Sequence, residues 1–355
     1  MSKKRILFLG ETYRADALTW MRGLEEFGDF EIVTWELQKS SVGFSRISRL
    51  VELCMAFFTI RKIAKKFNPD MVIAERTTSY GFLASLTGIH PVAIAQQGIT
   101  DLWPHNSPLF IFKKAIQDYA FKKADLLHAW GNVMTLHMEK SGVANTKILE
   151  LPKGINLDHF LFNDNLNTQR IEAIVTRSLE PEYKHTKILK AFALLKQKQI
   201  PFRLTIVGDG SMRTHLEQLS NSLGLSEDVI FLGRKPNNEV ALLLQESNFY
   251  ISMPSTEGVS ASLFEAMACG CFPVVTDLPG NRAWINNQEN GLLIPNGKYK
   301  ILADELHYAL ERNLWRNTVV HRNRKFVEDH ANYSLNMKKI ADAYHVLINQ
   351  KSNIN

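Results

Sequence analysis

The sequence has few cysteines and no long apolar run. Its 355 residues include three cysteines, Cys54, Cys269 and Cys271, and an odd number in a long chain is typical of a reducing cytoplasm, not of a disulfide framework. No uncharged apolar run approaches the roughly 18 residues that span a bilayer. The apolar stretch near the amino terminus, RILFLG, is too short for a signal peptide and predicts a first strand. These absences predict a cytoplasmic protein.

Motifs for metal binding and nucleic-acid binding are also missing. The sequence contains no D-x-D motif and no His/Cys cluster at ligand spacing. Cys269 and Cys271 form a lone C-x-C pair, which we interpret as two small packing residues. No zinc-finger or RNA-binding motif is present. We therefore expect no metal, no cofactor and no nucleic-acid partner.

Positive charge is concentrated in one segment. The formal net charge is +6, and the segment from Phe44 to Phe67, FSRISRLVELCMAFFTIRKIAKKF, has six basic residues and one acidic residue, Glu52. A basic, apolar helix of this kind can lie on an anionic membrane surface. The alternative is a core helix with a solvated basic end. The segment therefore predicts either peripheral contact with the inner face of the membrane or ordinary packing.

Short apolar strands alternate with segments of helical periodicity along the whole chain. RILFL and VAIAQ are such strands in the first half, and FRLTIVG and VIFLG in the second. This alternation predicts parallel sheets covered by helices on both faces. It breaks at the polar stretch FNDNLNTQR (162–170), which we interpret as a linker. The sequence therefore predicts an α/β protein of two facing Rossmann-like domains, residues 1–163 and 170–330, with a helical segment over 331–355.

Residues suited to an anionic ligand follow several predicted strands, and in such sheets ligands bind at the carboxyl ends of the strands. The turn GDG that begins at Gly208 precedes a helix, so its amides can approach a phosphate, although a tight turn needs no ligand. Arg177 and Lys184 share one loop, and a guanidinium with an ammonium suits a diphosphate. Two solvated surface cations are the alternative. Gly10 follows the first strand.

Two glutamates lie eight positions apart in the stretch PSTEGVSASLFEAMACG. At a helical rise of 1.5 Å per residue, Glu257 and Glu265 are about 12 Å apart. Carboxylate pairs that cleave one glycosidic bond are closer, at roughly 5 to 9.5 Å. The two glutamates instead suit the two ends of a long ligand that has hydroxyls at both ends and a diphosphate between, such as a sugar nucleotide. For Glu265 the alternative is a capping box that begins at Ser262.

These motifs resemble the donor domain of the retaining GT-B glycosyltransferases of family 4, the glycosyl transferases group 1. The resemblance rests on EG at Glu257, on EAMACG at Glu265, and on the motifs GDGSMRTHL, FLGR, PVV, LPGN and NGLLIP in the order and spacing of the family. It covers roughly residues 150–300. It implies transfer of a sugar from a nucleotide-diphosphate donor to a glycan, lipid-linked or other acceptor, with retention of anomeric configuration and without a metal.

The resemblance also implies roles for single residues. Arg177 and Lys184 would neutralise the leaving diphosphate, Glu257 would bind hydroxyls of the donor sugar, and Glu265 would bind the ribose. The remaining donor-binding residues are Gly10, Gly208, Arg234, Gly258, Val259 and Ser260. The acceptor-side candidates in the first domain are Gln97, Asp101 and His105, and for His105 packing beside Trp103 is the alternative. The segment 331–355 is expected to cross back to the first domain.

Departures from the family pattern keep other functions open. Ser260 replaces the last residue of a usual G-F-G, Gln97 stands where the family often has histidine, Ala283 replaces an acidic residue, and His185 follows Lys184 in place of glycine. One alternative is a sugar-nucleotide epimerase, which product analysis distinguishes. The other is a non-catalytic protein that binds a nucleotide or glycan. A dinucleotide dehydrogenase is disfavoured because neither glycine turn continues as G-x-G-x-x-G. The sequence defines neither the base, the sugar, the acceptor nor the oligomeric state.

Overall fold

The computed structural model describes residues 3–37, 46–96, 98, 109–164 and 169–352. The chain divides into two compact units. The first contains Met1–Lys153 and Ser334–Asn355, and the second contains Gly154–Tyr333. The division near Gly154 lies ahead of the polar stretch 162–170 that we interpreted as the linker, and residues 165–168 of that stretch are outside the described residues.

The first unit contains a parallel sheet of six strands. The strands are Arg5–Leu9 (β1), Glu31–Trp35 (β2), Met71–Glu75 (β3), Val92–Gln96 (β4), Leu126–Ala129 (β5) and Ile148–Glu150 (β6). The helices between them are Ala15–Gly28 (α1), Arg46–Phe67 (α2), Phe82–Leu86 (α3), Phe110–Lys123 (α4) and Asn132–Lys140 (α5), with a π-helical turn over Arg76–Gly81 ahead of α3. Every residue of β3 and β4 is buried, as expected for central strands covered on both faces.

The second unit repeats this architecture. Its strands are Ile171–Val175 (β7), Phe202–Val207 (β8), Val229–Gly233 (β9), Phe249–Ser252 (β10), Phe272–Thr276 (β11) and Leu292–Ile294 (β12). Its helices are His185–Gln197 (α6), Arg213–Ser222 (α7), Asn237–Gln245 (α8), Ala261–Cys269 (α9), Pro279–Arg282 (α10), Tyr299–Leu310 (α11) and Asn313–His330 (α12). The predicted α/β class with two Rossmann-like parallel sheets is therefore confirmed.

In each sheet the order of the strands switches direction at one position. The first sheet has the order β2-β1-β3-β4-β5-β6 and the second the order β12-β11-β10-β7-β8-β9. Successive strands are added on one side of β7 and then, from β10 onward, on the other side. The order therefore switches between β7 and β10, and in the first sheet between β1 and β3. The carboxyl ends of these strand pairs are where open α/β sheets bind ligands.

The last helix, Tyr333–Ser352 (α13), packs within the first unit. Its buried residues recur at helical spacing and are Met337, Ile340, Ala341, Tyr344 and Ile348. Polar contacts fix its position: the side-chain amide of Asn336 donates to the carbonyl of Pro152 at 2.9 Å, and the ammonium of Lys351 lies 2.9 Å from a carboxylate oxygen of Asp125. None of the described helices combines the length and the apolarity that a membrane span requires.

A buried histidine makes the first unit sensitive to acid. The side chain of His128 is fully buried, edge-on to Trp20, and its Nε2 lies 2.8 Å from the carbonyl oxygen of Leu151. Burial lowers the pKa of His128 to about 4, although the bond to Leu151 opposes the shift. Because the unfolded pKa is near 6.5, the neutral imidazole stabilises the fold above pH 6.5, and this contribution is lost as the pH falls toward 4.

We expect the unfolding free energy of the first unit to fall by up to about 3 kcal/mol more in the wild type than in His128→Gln between pH 6.5 and pH 4. Denaturant unfolding across that pH range measures the difference. His215→Gln, at an exposed position, is the matched control and should follow the wild type. Equal pH dependence in wild type and His128→Gln would contradict a buried neutral imidazole.

Candidate active site

The switch between β7 and β10 brings two predicted site residues together. Arg177 follows β7 by two residues, and Glu257 lies in the loop between β10 and α9. Because β7 and β10 pair directly, the loops after them meet at one edge of the sheet. The backbone N–H of Ser255, in the loop after β10, donates to the carbonyl oxygen of Glu182, in the loop after β7, at 2.7 Å. This hydrogen bond links the two loops.

The guanidinium of Arg177 is held by two hydrogen bonds and by an aromatic ring. Its Nη2 donates to Oε2 of Glu257 at 2.9 Å, and its Nη1 donates to Oγ of Ser260 at 3.1 Å. The guanidinium carbon lies 4.6 Å from the centre of the Tyr183 ring, within cation–π range. The side chains of Arg177 and Glu257 remain 15% and 10% exposed. The guanidinium is therefore fixed in direction and still accessible from solvent.

Burial and the paired charges both shift the pKa values of Arg177 and Glu257. Burial raises the pKa of Glu257 above its ordinary value, although Arg177 and the Gly258 amide act in the opposite direction. Burial would lower the pKa of Arg177, but Tyr250 and Glu257 raise it. Arg177 therefore stays positively charged, and Glu257 is the member of the pair that takes up a proton as the pH falls.

Two buried residues beside Arg177 were not predicted. His185, the first residue of α6, is 2% exposed, and burial together with the charge of Arg177 lowers its pKa to about 4. Tyr250, in β10, is fully buried, and burial raises its pKa. The place of His185 next to Lys184 in the loop after β7 was a usable sequence signal. The apolar strand NFYIS gave no comparable signal for Tyr250, because a tyrosine in a buried strand is ordinary.

Lys184 points to a different partner. It has a left-handed backbone with φ 51° at the amino end of α6, and its ammonium donates to the side-chain oxygen of Asn296. Asn296 follows β12, two strands away from β10 in the sheet. Within the described part of the chain, the hydrogen bonds of the Lys184 ammonium therefore do not join those of Arg177 and Glu257.

The glycine turn after β8 packs against the Arg177 loop. Gly208 has φ 145°, and a Cβ there would lie 2.4 Å from the carbonyl oxygen of Arg177. The N–H of Leu179 donates to the carbonyl of Asp209 at 3.1 Å. Only glycine permits this close approach. Close packing therefore accounts for Gly208 without a phosphate, and the turn supports the backbone that carries Arg177.

Arg234 lies on the β8–β9 side of the switch. It is exposed after β9, and it is near Glu180, whose pKa is lowered first by hydrogen bonds from Ser211 and further by the charge of Arg234. The backbone N–H of Ser211 donates to Oε1 of Glu180 at 3.0 Å. The predicted donor-binding residues of the second unit are thus divided between Arg177–Glu257–Ser260 and this more exposed group.

The N-cap of helix α9 is Ser260 and not Ser262. The Oγ of Ser260 accepts the N–H of Leu263 at 3.3 Å and therefore caps the helix. Ser262 is the second helical residue, so the capping box proposed as the alternative for Glu265 is wrong. Gly258 and Val259 lead into this cap. A Cβ on Gly280 would lie 2.3 Å from the carbonyl oxygen of Glu257, so α10 supports the same loop.

The two cysteines at the end of this segment are packing residues, as predicted. Cys269 and Cys271 are free and buried. The Sγ of Cys271 lies 3.1 Å from the carbonyl oxygen of Leu244, and burial raises the pKa of Cys269 to about 12. Among the described residues, no three His, Cys, Asp or Glu side chains are grouped as metal ligands. Metal independence of the reaction stays a prediction.

In the first unit, the switch between β1 and β3 is lined by carboxylates. The N–H of Glu11, next to Gly10, donates to Oε2 of Glu75 at 3.2 Å, and the N–H of Thr12 donates to Oε2 of Glu36 at 2.9 Å. These amides already have anionic partners within the protein. The role of Gly10 toward a diphosphate stays a prediction. The acceptor-side candidates Gln97, Asp101 and His105 lie outside the described residues.

Both units match known family models. Residues 158–326 match the model described as "Glycosyl transferases group 1", and residues 25–129 match "Glycosyl transferase 4-like". The chain belongs to the group 1 glycosyltransferases. The matched segments contain Arg177, Lys184, Glu257 and Glu265, so the family resemblance stated from the sequence is confirmed.

The curated relatives of the chain are named as glycosyltransferases. The putative colanic acid biosynthesis glycosyltransferase WcaL of Escherichia coli is 27% identical over 252 residues, 68% of this chain and 59% of WcaL. The putative glycosyltransferase EpsD of Bacillus subtilis is 32% identical over 111 residues, 31% of this chain and 29% of EpsD. The chain thus spans less than two thirds of either. N-acetylgalactosamine-N,N'-diacetylbacillosaminyl-diphospho-undecaprenol 4-alpha-N-acetylgalactosaminyltransferase of Campylobacter jejuni is 26% identical, with 82% of this chain and 81% of the relative covered.

Solved structures share the fold. HepE of Anabaena, in complex with UDP, has a TM-score of 0.77 and 16% identity, with 97% of this chain and 100% of HepE covered. Sucrose-phosphate synthase of Thermosynechococcus elongatus has a TM-score of 0.79 and 15% identity, with 98% of this chain and 100% of that chain covered. These matches confirm the predicted GT-B fold class.

Replacing the helix cap should cost more than replacing its neighbour. We expect Ser260→Ala to lower the unfolding free energy of the second unit by about 1 kcal/mol, because the cap of α9 and the contact with Arg177 are both lost. Ser262→Ala, two residues away inside the helix, should change it by no more than about 0.5 kcal/mol. Denaturant unfolding measures both. A larger loss in Ser262→Ala would show that the cap is misassigned.

Proposed function

We propose that the protein transfers a sugar from a nucleotide-diphosphate sugar to an acceptor hydroxyl, with retention of anomeric configuration and without a metal ion. The observation that carries the proposal is the position of Arg177, bound to Glu257 and Ser260 at the switch between β7 and β10. Ligands of open α/β sheets bind at such switch points, and a partly exposed guanidinium there suits an anionic ligand.

Arg177 would stabilise the leaving diphosphate. When the bond between the anomeric carbon and the phosphate oxygen breaks, negative charge develops on the diphosphate. Each Nη of Arg177 carries two N–H groups, and the contacts with Glu257 and Ser260 use one on each nitrogen. The remaining N–H groups would bind phosphate oxygens of the donor. The amides at the start of α9 would add to this stabilisation.

The two carboxylates would bind the two ends of the donor. Glu257, next to Arg177, would accept hydrogen bonds from hydroxyls of the sugar, and Glu265, in the second turn of α9, from the ribose. Gly258, Val259 and Ser260 would border the diphosphate, and Gly208 and Arg234 the nucleotide. For Lys184 to bind the same diphosphate, its ammonium must exchange Asn296 for a phosphate oxygen. Gly10 of the first unit keeps its predicted role as part of this proposal.

The names of the relatives support a glycan or lipid-linked acceptor. WcaL is named for colanic acid biosynthesis, and the Campylobacter jejuni relative for a diphospho-undecaprenol substrate. We infer an acceptor of the same chemical kind for this protein, with Gln97, Asp101 and His105 as its predicted contacts. A cytoplasmic enzyme that meets such acceptors at the inner face of the membrane fits this proposal.

One structural observation favours the alternative of a non-catalytic binding protein. The ammonium of Lys184 is bound to Asn296 and not directed to the partners of Arg177, so the proposed pair of cations is not assembled. A binding protein would hold the nucleotide sugar and release it unchanged. Product analysis after incubation with a nucleotide sugar and acceptor distinguishes transfer, epimerisation and simple binding.

Loss of the guanidinium should remove transfer activity. We expect Arg177→Ala to lower kcat/KM for the donor by about 100-fold or more, because charge on the leaving diphosphate is no longer stabilised. Arg203→Ala, at an exposed position on β8, should stay within about twofold of the wild type. Thermal unfolding reports the folded fraction of each variant, and Arg177→Lys preserves the charge if Arg177→Ala unfolds. Equal activity in Arg177→Ala and Arg203→Ala, at equal folded fractions, would exclude the proposed site.

The role of Glu265 can be separated from phosphate binding. If its carboxylate binds the ribose, Glu265→Gln should weaken binding of nucleoside diphosphates by about tenfold and leave pyrophosphate binding unchanged. Isothermal titration with both ligands measures the difference. Glu227→Gln, at an exposed position of the same unit, is the control. Unchanged nucleotide affinity in Glu265→Gln would rule out the ribose contact.

A further inference from the structure

Helix α2 presents apolar side chains and cations to solvent along one stripe. Its inward stripe is Ala56, Ile60 and Ala64, which are buried at four-residue spacing. On the outward side, the middle of the helix is apolar: Met55 is 60% exposed and Phe58 is 66% exposed. Residues three apart are neighbours on a helix surface, and contiguous exposed apolar surface marks interaction sites.

The second part of the same stripe is basic. The side chains after Phe58 that reach solvent include four cations, Arg61, Lys62, Lys65 and Lys66. The outward face of α2 therefore changes from apolar to positively charged over about 10 Å, since seven residues of helix separate Phe58 from Lys65.

Helix α4 repeats this order. Its buried residues are Gln117, Ala120 and Phe121. At its start Ile111 is 81% exposed and Phe112 is 66% exposed. At its end Lys122 and Lys123 are exposed. Exposed apolar residues followed by a basic end thus occur on a second helix, which the residues 44–67 alone did not indicate.

The two helices lie on one face of the first sheet and run in the same direction. The short helix α3 packs against both α2 and α4. Each of the two returns from the carboxyl end of one parallel strand toward the amino end of another. On both helices the exposed apolar residues therefore precede the basic carboxyl-terminal end in the same direction across the sheet. We call the outward stripes of α2 and α4 the basic–apolar face.

The charges of this face are complementary to an anionic surface. Among the described side chains of α2 and α4, exposed cations outnumber the two acidic residues, Glu52 and Asp118: the cations are Arg61, Lys62, Lys65, Lys66, Lys114, Lys122 and Lys123. The carboxylate of Asp118 is already paired with Lys114 at 2.6 Å. Apolar side chains beside a cluster of lysines are the composition of helices that lie in the headgroup region, where apolar groups enter the acyl boundary and cations meet lipid phosphates.

We propose that the basic–apolar face of the first unit binds the surface of an anionic lipid bilayer, with Phe58 and Phe112 entering the acyl boundary and Lys65, Lys66, Lys122 and Lys123 meeting the headgroups. This goes beyond the proposed transfer reaction and does not rest on it. Each cation contributes roughly fivefold to binding, so the face holds the protein reversibly at the membrane and not within it.

Vesicle sedimentation of the full-length protein tests this proposal. The vesicles contain either phosphatidylcholine alone or phosphatidylcholine mixed with phosphatidylglycerol, at low and at high salt. We expect binding to the anionic vesicles only, weakened by salt as exposed charges are screened. The charge variant replaces Lys65, Lys66, Lys122 and Lys123 with Gln, and the apolar variant is Phe58→Ser with Phe112→Ser. Each should lower the binding constant by about tenfold or more.

The matched control lies on α13 of the same unit. Lys338→Gln, Lys339→Gln and Val346→Ser replace two lysines and one apolar residue that are also exposed, and binding should stay within about twofold of the wild type. An absence of wild-type binding to anionic vesicles, or an equal loss in the control variant, would overturn the proposal. So would a concentration-dependent dimer that the apolar variant abolishes, because a second copy would then cover the face. Nucleoside diphosphate binding, measured in parallel, should be the same in all variants, so failure here is distinct from failure of the donor site.

Discussion

The ion pair between Arg177 and Glu257 is the interaction on which the candidate site depends. It joins the loop after β7 to the loop before α9 at the point where strand order switches. Two glycines make the junction possible: Gly208 packs against the carbonyl of Arg177, and Gly280 packs against the carbonyl of Glu257. Because removing two charges from water costs several kcal/mol, a largely buried ion pair contributes little to stability by itself. Its position at the switch point of the sheet, where open α/β sheets bind ligands, is the reason for the role in binding and catalysis that we propose for it.

Most of the fold was predictable because parallel strands are buried on both faces. Strands such as RILFL and VIFLG are continuous apolar runs, and their predicted bounds agree with β1 and β9. The last strand, β12, was not predicted as a strand, since three residues are too short for a pattern to be recognised. The division between the two units at Gly154 could not be predicted from the sequence either, because it depends on packing between distant residues. For example, the N–H of Ile155 donates to the carbonyl of Ala331. Polarity in the sequence marks only the stretch after Phe162.

The structure brings together those predicted site residues whose place is decided by their position along a strand. Arg177 and Glu257 both follow strands, and sheet order then brought them together. The sequence was less informative where the direction of a side chain decides which residues meet. Lys184 shares the loop of Arg177, but a left-handed backbone and the acceptor on Asn296 lead its ammonium elsewhere. The capping box that was the alternative for Glu265 would place the cap of α9 at Ser262, whereas Ser260 caps the helix. Tyr250 is buried near Arg177 in an apolar strand that gave no signal, whereas the place of His185 next to Lys184 in the sequence was a usable signal.

We propose that the second unit binds a nucleotide diphosphate at the Arg177–Glu257 junction through protein groups alone. Crystals grown with EDTA and soaked with UDP, GDP or ADP test this binding most directly. We expect a diphosphate within hydrogen-bonding distance of both Nη atoms of Arg177 and of the amides at the start of α9, with the ribose near Glu265. A diphosphate bound elsewhere in the second unit, or bound only when a divalent cation replaces the chelator, would contradict it.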